Sequence, residues 1–129
     1  MNSESRLTLR IYMEDTDAQG VVYHANYLKF FERARSDLLS SLGVDQGQWL
    51  SKVRFVVHEL SLRFRRPARL GDTITVVTRF EVASEYRLTF FQRAQDESGQ
   101  LLVEGRVEVV CTDGGGNLIE VPAQVRPSA

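Results

Sequence analysis

Residues 23–42 read YHANYLKFFERARSDLLSSL, and the period within this stretch decides the fold. Tyr27, Phe31, Ala34, Leu38 and Leu42 recur at spacings of 4, 3, 4 and 4, which puts them on one stripe of an α-helix. Lys29, Glu32, Arg33, Ser36, Asp37 and Ser40 fill the other faces, and the Glu32/Arg35 and Arg33/Asp37 spacings suit ion pairs on the helix surface. Gly43 supplies the left-handed residue that stops a helix. The spacing predicts one helix of roughly five turns, apolar along one side.

Outside this stretch the period falls to two. Leu7, Leu9 and Ile11 alternate with polar residues in a short strand over 7–12, and the acidic MEDTDAQG at 13–20 reads as a loop. After the helix, Val56, Leu60, Leu62 and Phe64 would make one apolar face of a strand within 53–66, with His58 set into that face. Pro67, Gly71 and Asp72 mark a turn. Ile74, Val76, Thr78, Phe80 and Val82 alternate with Thr73, Thr75, Arg79 and Glu81 in the next strand. Tyr86, Leu88 and Phe90 lead another, and the last sets Leu101, Val103, Val107, Val109 and Cys111 against Glu104, Arg106 and Glu108. The glycines at 114–116 turn the chain after it. Short reversals make these four strands antiparallel neighbours. A helix with a single apolar stripe must bury it on such a sheet, so the class is α+β, with about five strands wrapping one long helix and residues 1–129 forming a single domain. One helix covers only part of so large a sheet, and the open edges favour self-association.

Composition narrows the function. The 129 residues are 43% hydrophobic, 26% charged and 9% aromatic, a globular balance. Sixteen basic against seventeen acidic residues leave a formal charge of −1, and the pI is near 6.1, so nothing asks for nucleic acid or a membrane surface. The lone Cys111 rules out an internal disulfide framework, and with two histidines no metal site is expected. No apolar run approaches the ~18 residues of a membrane span. The opening MNSESRLTLR lacks the basic-then-apolar order of a signal peptide, so a cytoplasmic location is expected. No G-x-S-x-G elbow, Walker loop, H-E-x-x-H or Rossmann fingerprint occurs, and no cofactor is expected. Arginine makes up fourteen of the basic residues. Residues 52–79 hold seven basic groups and two acidic, while 96–120 hold six acidic and one basic. Such blocks either pair across a sheet or form an anion-recognising patch.

The stretch DTDAQGVVYHANY at 15–27 carries the chemistry: two carboxylates in a glycine-bearing loop that runs into the helix N-terminus. The opening turn of a helix exposes unpaired N–H groups and the positive end of its dipole. A carbonyl oxygen lodged there is polarised, and a nearby carboxylate can attack that carbonyl or deprotonate a water that does. Asp15 reads as a structural cap beside Asp17.

Arg10 to Arg35, RIYMEDTDAQGVVYHANYLKFFERAR, resembles the signature region of the 4-hydroxybenzoyl-CoA thioesterase family of hotdog-fold proteins. Within it the likeness is to the acyl-CoA thioesterases associated with the bacterial Tol-Pal system, and RPARLGD at 66–72 extends it over most of the chain. The resemblance implies a curved sheet around one helix and hydrolysis of an acyl-CoA thioester, with coenzyme A arriving as part of the substrate. It puts the catalytic carboxylate on Asp17, as nucleophile or general base, and the carbonyl-polarising backbone N–H on His24. It implies close backbone approach at Gly20 and an acyl pocket shaped by Tyr23, Asn26 and Tyr27. It further implies a homodimer, often paired into a homotetramer, with acyl carrier protein as another bearer of the thioester. One departure is visible: the lysine often found after the last strand is missing from Gly114–Asn117. Arg65, Arg66 and Arg69 are the substitutes expected to hold the coenzyme's phosphates. Two other readings stand beside hydrolysis: a non-catalytic acyl-binding or scaffold module, and a hotdog dehydratase or hydratase, for which His58 with Glu32 is the only candidate pair. His58 otherwise reads as a satisfied or partly exposed histidine. Cys111 reads as a core residue, and Trp49 as a packing anchor or part of a pocket lid.

Overall fold

The computed structural model describes residues 4–126, so both ends of the expected 1–129 span lie outside the described residues. Its elements are β1 (Ser5–Arg10), α1 (Asn26–Ser41), the single-turn α2 (Gln46–Trp49), β2 (Arg54–Phe64), β3 (Thr73–Val82), β4 (Arg87–Gln95) and β5 (Leu101–Thr112), with 3₁₀ turns at Met13–Asp15 and Ala123–Val125. The strands form one antiparallel sheet in the order β1-β3-β4-β5-β2, so β3, β4 and β5 are neighbours as expected, whereas β2 does not pair with β3 but crosses to the far edge beside β5. Among the described residues, no helix is long and apolar enough to cross a membrane.

Helix α1 begins three residues later than the expected Tyr23, because Tyr23–Ala25 form a turn whose carbonyls already accept from the amides of Asn26 and Tyr27. It buries Tyr27, Phe30, Phe31, Ala34, Leu38 and Leu39; of the expected stripe only Leu42 falls outside, as the half-buried C-cap, and Gly43 stops the helix at φ 89°. Two apolar clusters lie beneath it. One gathers under Tyr27–Ala34 around Ile74, Val76 and Val103, the other under Leu38 and Leu39 around Leu88, Phe90 and Val109. Between them runs a polar level. The Gln92 side chain donates to the Phe31 carbonyl at 2.8 Å and to Thr78 Oγ1 at 2.9 Å, and accepts from Arg35 at 3.0 Å.

Arg35 therefore turns inward rather than along the helix surface. Neither Glu32/Arg35 nor Arg33/Asp37 forms an ion pair within 4 Å among the described residues, contrary to expectation. Burial pulls the Arg35 guanidinium below its ordinary range, with the charge of Glu32 opposing.

The face assigned to β2 needs a second correction. Pairing slips between Val57 (opposite Val109) and Glu59 (opposite Glu108), a β-bulge that leaves His58 without a partner. An extra residue reverses the parity. Phe55 and Val57 point inward before the bulge and Leu60, Leu62 and Phe64 after it, while Val56 lies opposite Val110 on the outer face and His58 is exposed. The charge blocks meet where β2 runs beside β5: Arg65 pairs with Glu104 at 3.0 Å. Arg79–Glu81 and Arg106–Glu108 pair along single strands instead. Cys111 is fully buried, which pushes its thiol up to about 11, and Trp49 packs against the second cluster as an anchor.

Candidate active site

The loop between β1 and α1 is a small hairpin held from three sides. The Tyr12 amide donates to the Asp15 carboxylate at 2.8 Å, and the Asp15 carbonyl accepts from the Tyr23 amide at 3.0 Å and from Asn26 Nδ2 at 2.8 Å. Asp15 thus caps the 3₁₀ turn, and Asn26 ties the start of α1 to the loop rather than lining a pocket. Thr16 bridges Val22, the Asp17 amide donates to the Val21 carbonyl at 2.9 Å, and the Gly20 amide to the Asp17 carbonyl at 3.0 Å. The hairpin rests on residues 68–70, where Val22 donates to the Ala68 carbonyl and Leu70 to the Gly20 carbonyl.

Gly20 sits at φ +77°, and a Cβ there would meet nothing within 4 Å. Within the chain the position is open, and what calls for glycine there is the positive φ, since L side chains avoid this region. The turn aims Asp17. Its Oδ1 accepts from the Gln19 amide at 2.8 Å, while Oδ2 has no partner among the described residues.

Asp17 lines a cavity of about 340 Å³ together with Val21, Val22, His24, Tyr27, Phe64, Arg65, Arg66 and Pro67. The His24 amide, at the mouth of α1, finds no acceptor among the described residues, and the helix start has no side-chain cap. Tyr27 is buried, with its ring 5.8 Å from those of Phe30 and Phe64. Among the described residues its hydroxyl makes no hydrogen bond of regular geometry, although the Ala68 backbone lies close by, and burial pushes the phenol above its usual range. Tyr23 is outside the cavity lining, half-exposed and packed against the His24 ring at 4.6 Å. Arg65 reaches Glu104, and the Arg65 and Arg66 amides both donate to the Leu102 carbonyl. Arg69 is not in the lining; it bridges Val21, and its amide donates to Asp72 at 2.8 Å.

The structure therefore brings Asp17, His24, Tyr27, Arg65 and Arg66 together and leaves Tyr23, Asn26 and Arg69 around them. Phe64 was not among the expected site residues; its signal was its place just before Arg65-Arg66-Pro67. Glu32 and His58 share no cavity: Glu32 lines a separate groove between α1 and β2, and His58 lines none of those described.

An uncommitted carboxylate oxygen and an open helix-start amide in one cavity can polarise a carbonyl and deliver a nucleophile to its carbon. A five-stranded antiparallel sheet with one main helix packed on it is the hotdog fold. Comparison with known proteins agrees: the family model of the thioesterase-like superfamily matches residues 11–128, and the chain belongs to that family. It is 38% identical over 125 residues to the acyl-CoA thioester hydrolase YbgC of Escherichia coli, covering 96% of this chain and 87% of the relative. It is 39% identical over 109 residues to the acyl-CoA thioesterase YbgC of Haemophilus influenzae, covering 83% and 79%. Among solved structures, Slr0204, a 1,4-dihydroxy-2-naphthoyl-CoA thioesterase from Synechocystis, superposes with a TM-score of 0.88 at 25% identity, covering 95% of this chain and 92% of that one.

Proposed function

We propose that the chain hydrolyses an acyl-CoA thioester to the free acid and coenzyme A, with Asp17 as nucleophile or general base and the His24 backbone N–H polarising the thioester carbonyl. The observation that carries this reading is the shared cavity of the Asp17 carboxylate and the unpaired His24 amide. With the carbonyl oxygen on that amide, attack on the carbonyl carbon places the new negative charge where a donor already waits. The C–S bond then breaks and the thiolate leaves. A cysteine-like thiol has a pKa of about 8.5, so departure needs no strong acid. If Asp17 attacks directly, water next opens the acyl anhydride and regenerates the carboxylate; if Asp17 acts as base, it takes the proton of the attacking water in a single stage.

The rings of Tyr27 and Phe64 wall the acyl side of the cavity, and the ring of Tyr23 packs on that of His24. Asn26 holds the helix start in place, and Gly20 sets the turn that presents Asp17. Arg65 and Arg66 border the cavity as the groups for the coenzyme's phosphates, and Arg69 adds charge beside Val21. An acyl carrier protein would present the same thioester on the same phosphopantetheine. The enzyme works in the cytoplasm as a homodimer or a homotetramer of two such dimers.

Asp17→Asn tests the reading. We expect unchanged circular dichroism and a fall in kcat on the order of 10²–10⁴-fold, read as thiol release over a panel of acyl-CoA chain lengths. A near wild-type rate from this variant refutes the role of Asp17. Wild-type protein that binds the panel and releases no thiol is a binding module instead.

A further inference from the structure

The outer face of the sheet, turned away from α1, carries a basin of about 350 Å³. Four neighbouring strands each put one arginine into its lining: Arg79 from β3, Arg93 from β4, Arg106 from β5 and Arg63 from β2. The register sets them in two adjoining rows. In one, Arg79 and Arg106 flank Phe91; in the next, Arg93 and Arg63 flank Glu104. The guanidinium groups of Arg79 and Arg106 lie over the Phe91 ring, 4.2 and 5.7 Å from its centroid. A guanidinium steadied by a ring keeps the N–H donors of its own plane for other partners.

Those partners are scarce. One carboxylate lines the basin, Glu104, and Arg65 takes it at 3.0 Å. Arg63 has no carboxylate within 4 Å among the described residues. The other three reach only carboxylates outside the lining: Arg79 meets Glu81 at 3.3 Å, Arg106 meets Glu108 at 3.7 Å and Arg93 meets Glu4 at 3.9 Å. Single contacts of this kind on exposed arginines contribute little and yield to a stronger anion. Such a concentration of cations stands out in a chain whose formal charge is −1.

We infer that the basin binds a diphosphate group, carried by a free nucleotide or by a molecule of coenzyme A. A carboxylate or a lone phosphate engages one or two guanidinium forks. Two linked phosphates bring more charge and enough oxygens to meet forks from both rows at once. The volume lies at the lower end of the roughly 300–1,000 Å³ of small-molecule sites, which suits a compact anion rather than an acidic protein surface. Of the two uses open to the charge blocks of this sequence, Arg65–Glu104 is the pairing across the sheet, and the basin is the anion-recognising patch. It is not the cavity of Asp17, which lies on the helix side against Tyr27 and the inward-facing Phe64. The two meet through Glu104, which lines the basin and holds Arg65, a residue of the other lining. The site therefore stands apart from the thioesterase reading, and only the coenzyme as its source rests on that reading.

Calorimetric titration of the full chain with pyrophosphate, ADP, AMP and coenzyme A, in phosphate-free buffer of moderate ionic strength, tests it. Pyrophosphate and ADP should bind saturably, one per chain, and AMP at least about tenfold more weakly. Arg63→Gln and Arg106→Gln should each weaken pyrophosphate binding at least about tenfold with circular dichroism unchanged, whereas Arg33→Gln, exposed on α1, should not. If the diphosphate belongs to coenzyme A, the coenzyme displaces ADP, and both basin variants raise KM for acyl-CoA at constant kcat. If it belongs to a free nucleotide, ADP binds alongside coenzyme A and KM stays as in wild type. No saturable pyrophosphate binding, binding that survives both basin variants, or AMP bound as tightly as ADP overturns the proposal. A polyglutamate peptide that binds these arginines where pyrophosphate does not overturns it in favour of protein docking. Asp17→Asn should bind pyrophosphate as wild type does. A chain that binds pyrophosphate and releases no thiol keeps this site and sinks the thioesterase reading alone.

Discussion

Asp17 and Tyr27 meet the same cavity under opposite conditions. Asp17 is exposed and held through Oδ1 by the Gln19 amide, with its second oxygen unpartnered among the described residues. Tyr27 is 2% exposed and carries a hydroxyl that makes no hydrogen bond of regular geometry among the described residues. A buried, unsatisfied hydroxyl costs about 1–3 kcal/mol, so Tyr27→Phe should leave stability unchanged or raise it by up to that amount in urea unfolding, and thiol release should persist because the ring is what lines the cavity. A clear loss of stability would mean that the hydroxyl finds a partner. The role of Asp15 was legible beforehand, because loop carboxylates before a helix normally cap. That of Gly20 was not: close approach and left-handed backbone both call for glycine, and only its φ separates them.

At the level of elements, α1 settles on the sheet where β5 has no side chain. A Cβ on Gly105 would come within 2.4 Å of Leu62 Cδ2 and 2.9 Å of Phe31 Cε2, with the Ser61 carbonyl at 3.3 Å. Gly105→Ala must therefore push Leu62 and the helix apart. We expect a loss of about 1–3 kcal/mol by urea denaturation, the usual range for overpacking. Beside this gap, Gln92 binds a mid-helix carbonyl and so sets how far α1 slides along the sheet. The slide matters to the proposed reaction, which needs His24 and Asp17 in one cavity. The bulge at His58 is the other element-scale device: it turns Leu60, Leu62 and Phe64 inward so that the end of β2 reaches the site.

At the scale of the molecule, one helix leaves part of its sheet uncovered, and the bare part is the α1–β2 groove. In the proposed homodimer or homotetramer part of the apolar burial falls between copies, so stability should depend on concentration. The melting temperature should climb with protein concentration, on the order of 2–4 °C per tenfold, read by calorimetry over a wide range. A melting temperature independent of concentration would mean that a single chain is self-sufficient.

Sequence alone determined whatever depends on spacing along one element. The 4-3-4-4 stripe required α1, alternation required the strands, short reversals made β3, β4 and β5 antiparallel neighbours though not β2 and β3, and the 15–27 stretch put a carboxylate before a helix start, because turn chemistry and periodicity are local. Tertiary structure decided what depends on which elements become neighbours. A bulge that reverses the faces of β2, a guanidinium drawn inward by Gln92, the arrival of Phe64, Arg65 and Arg66 beside Asp17, and an edge strand left bare all follow from the order of strands in the sheet. No period along the chain encodes that order, since it is set by contacts between residues far apart in sequence.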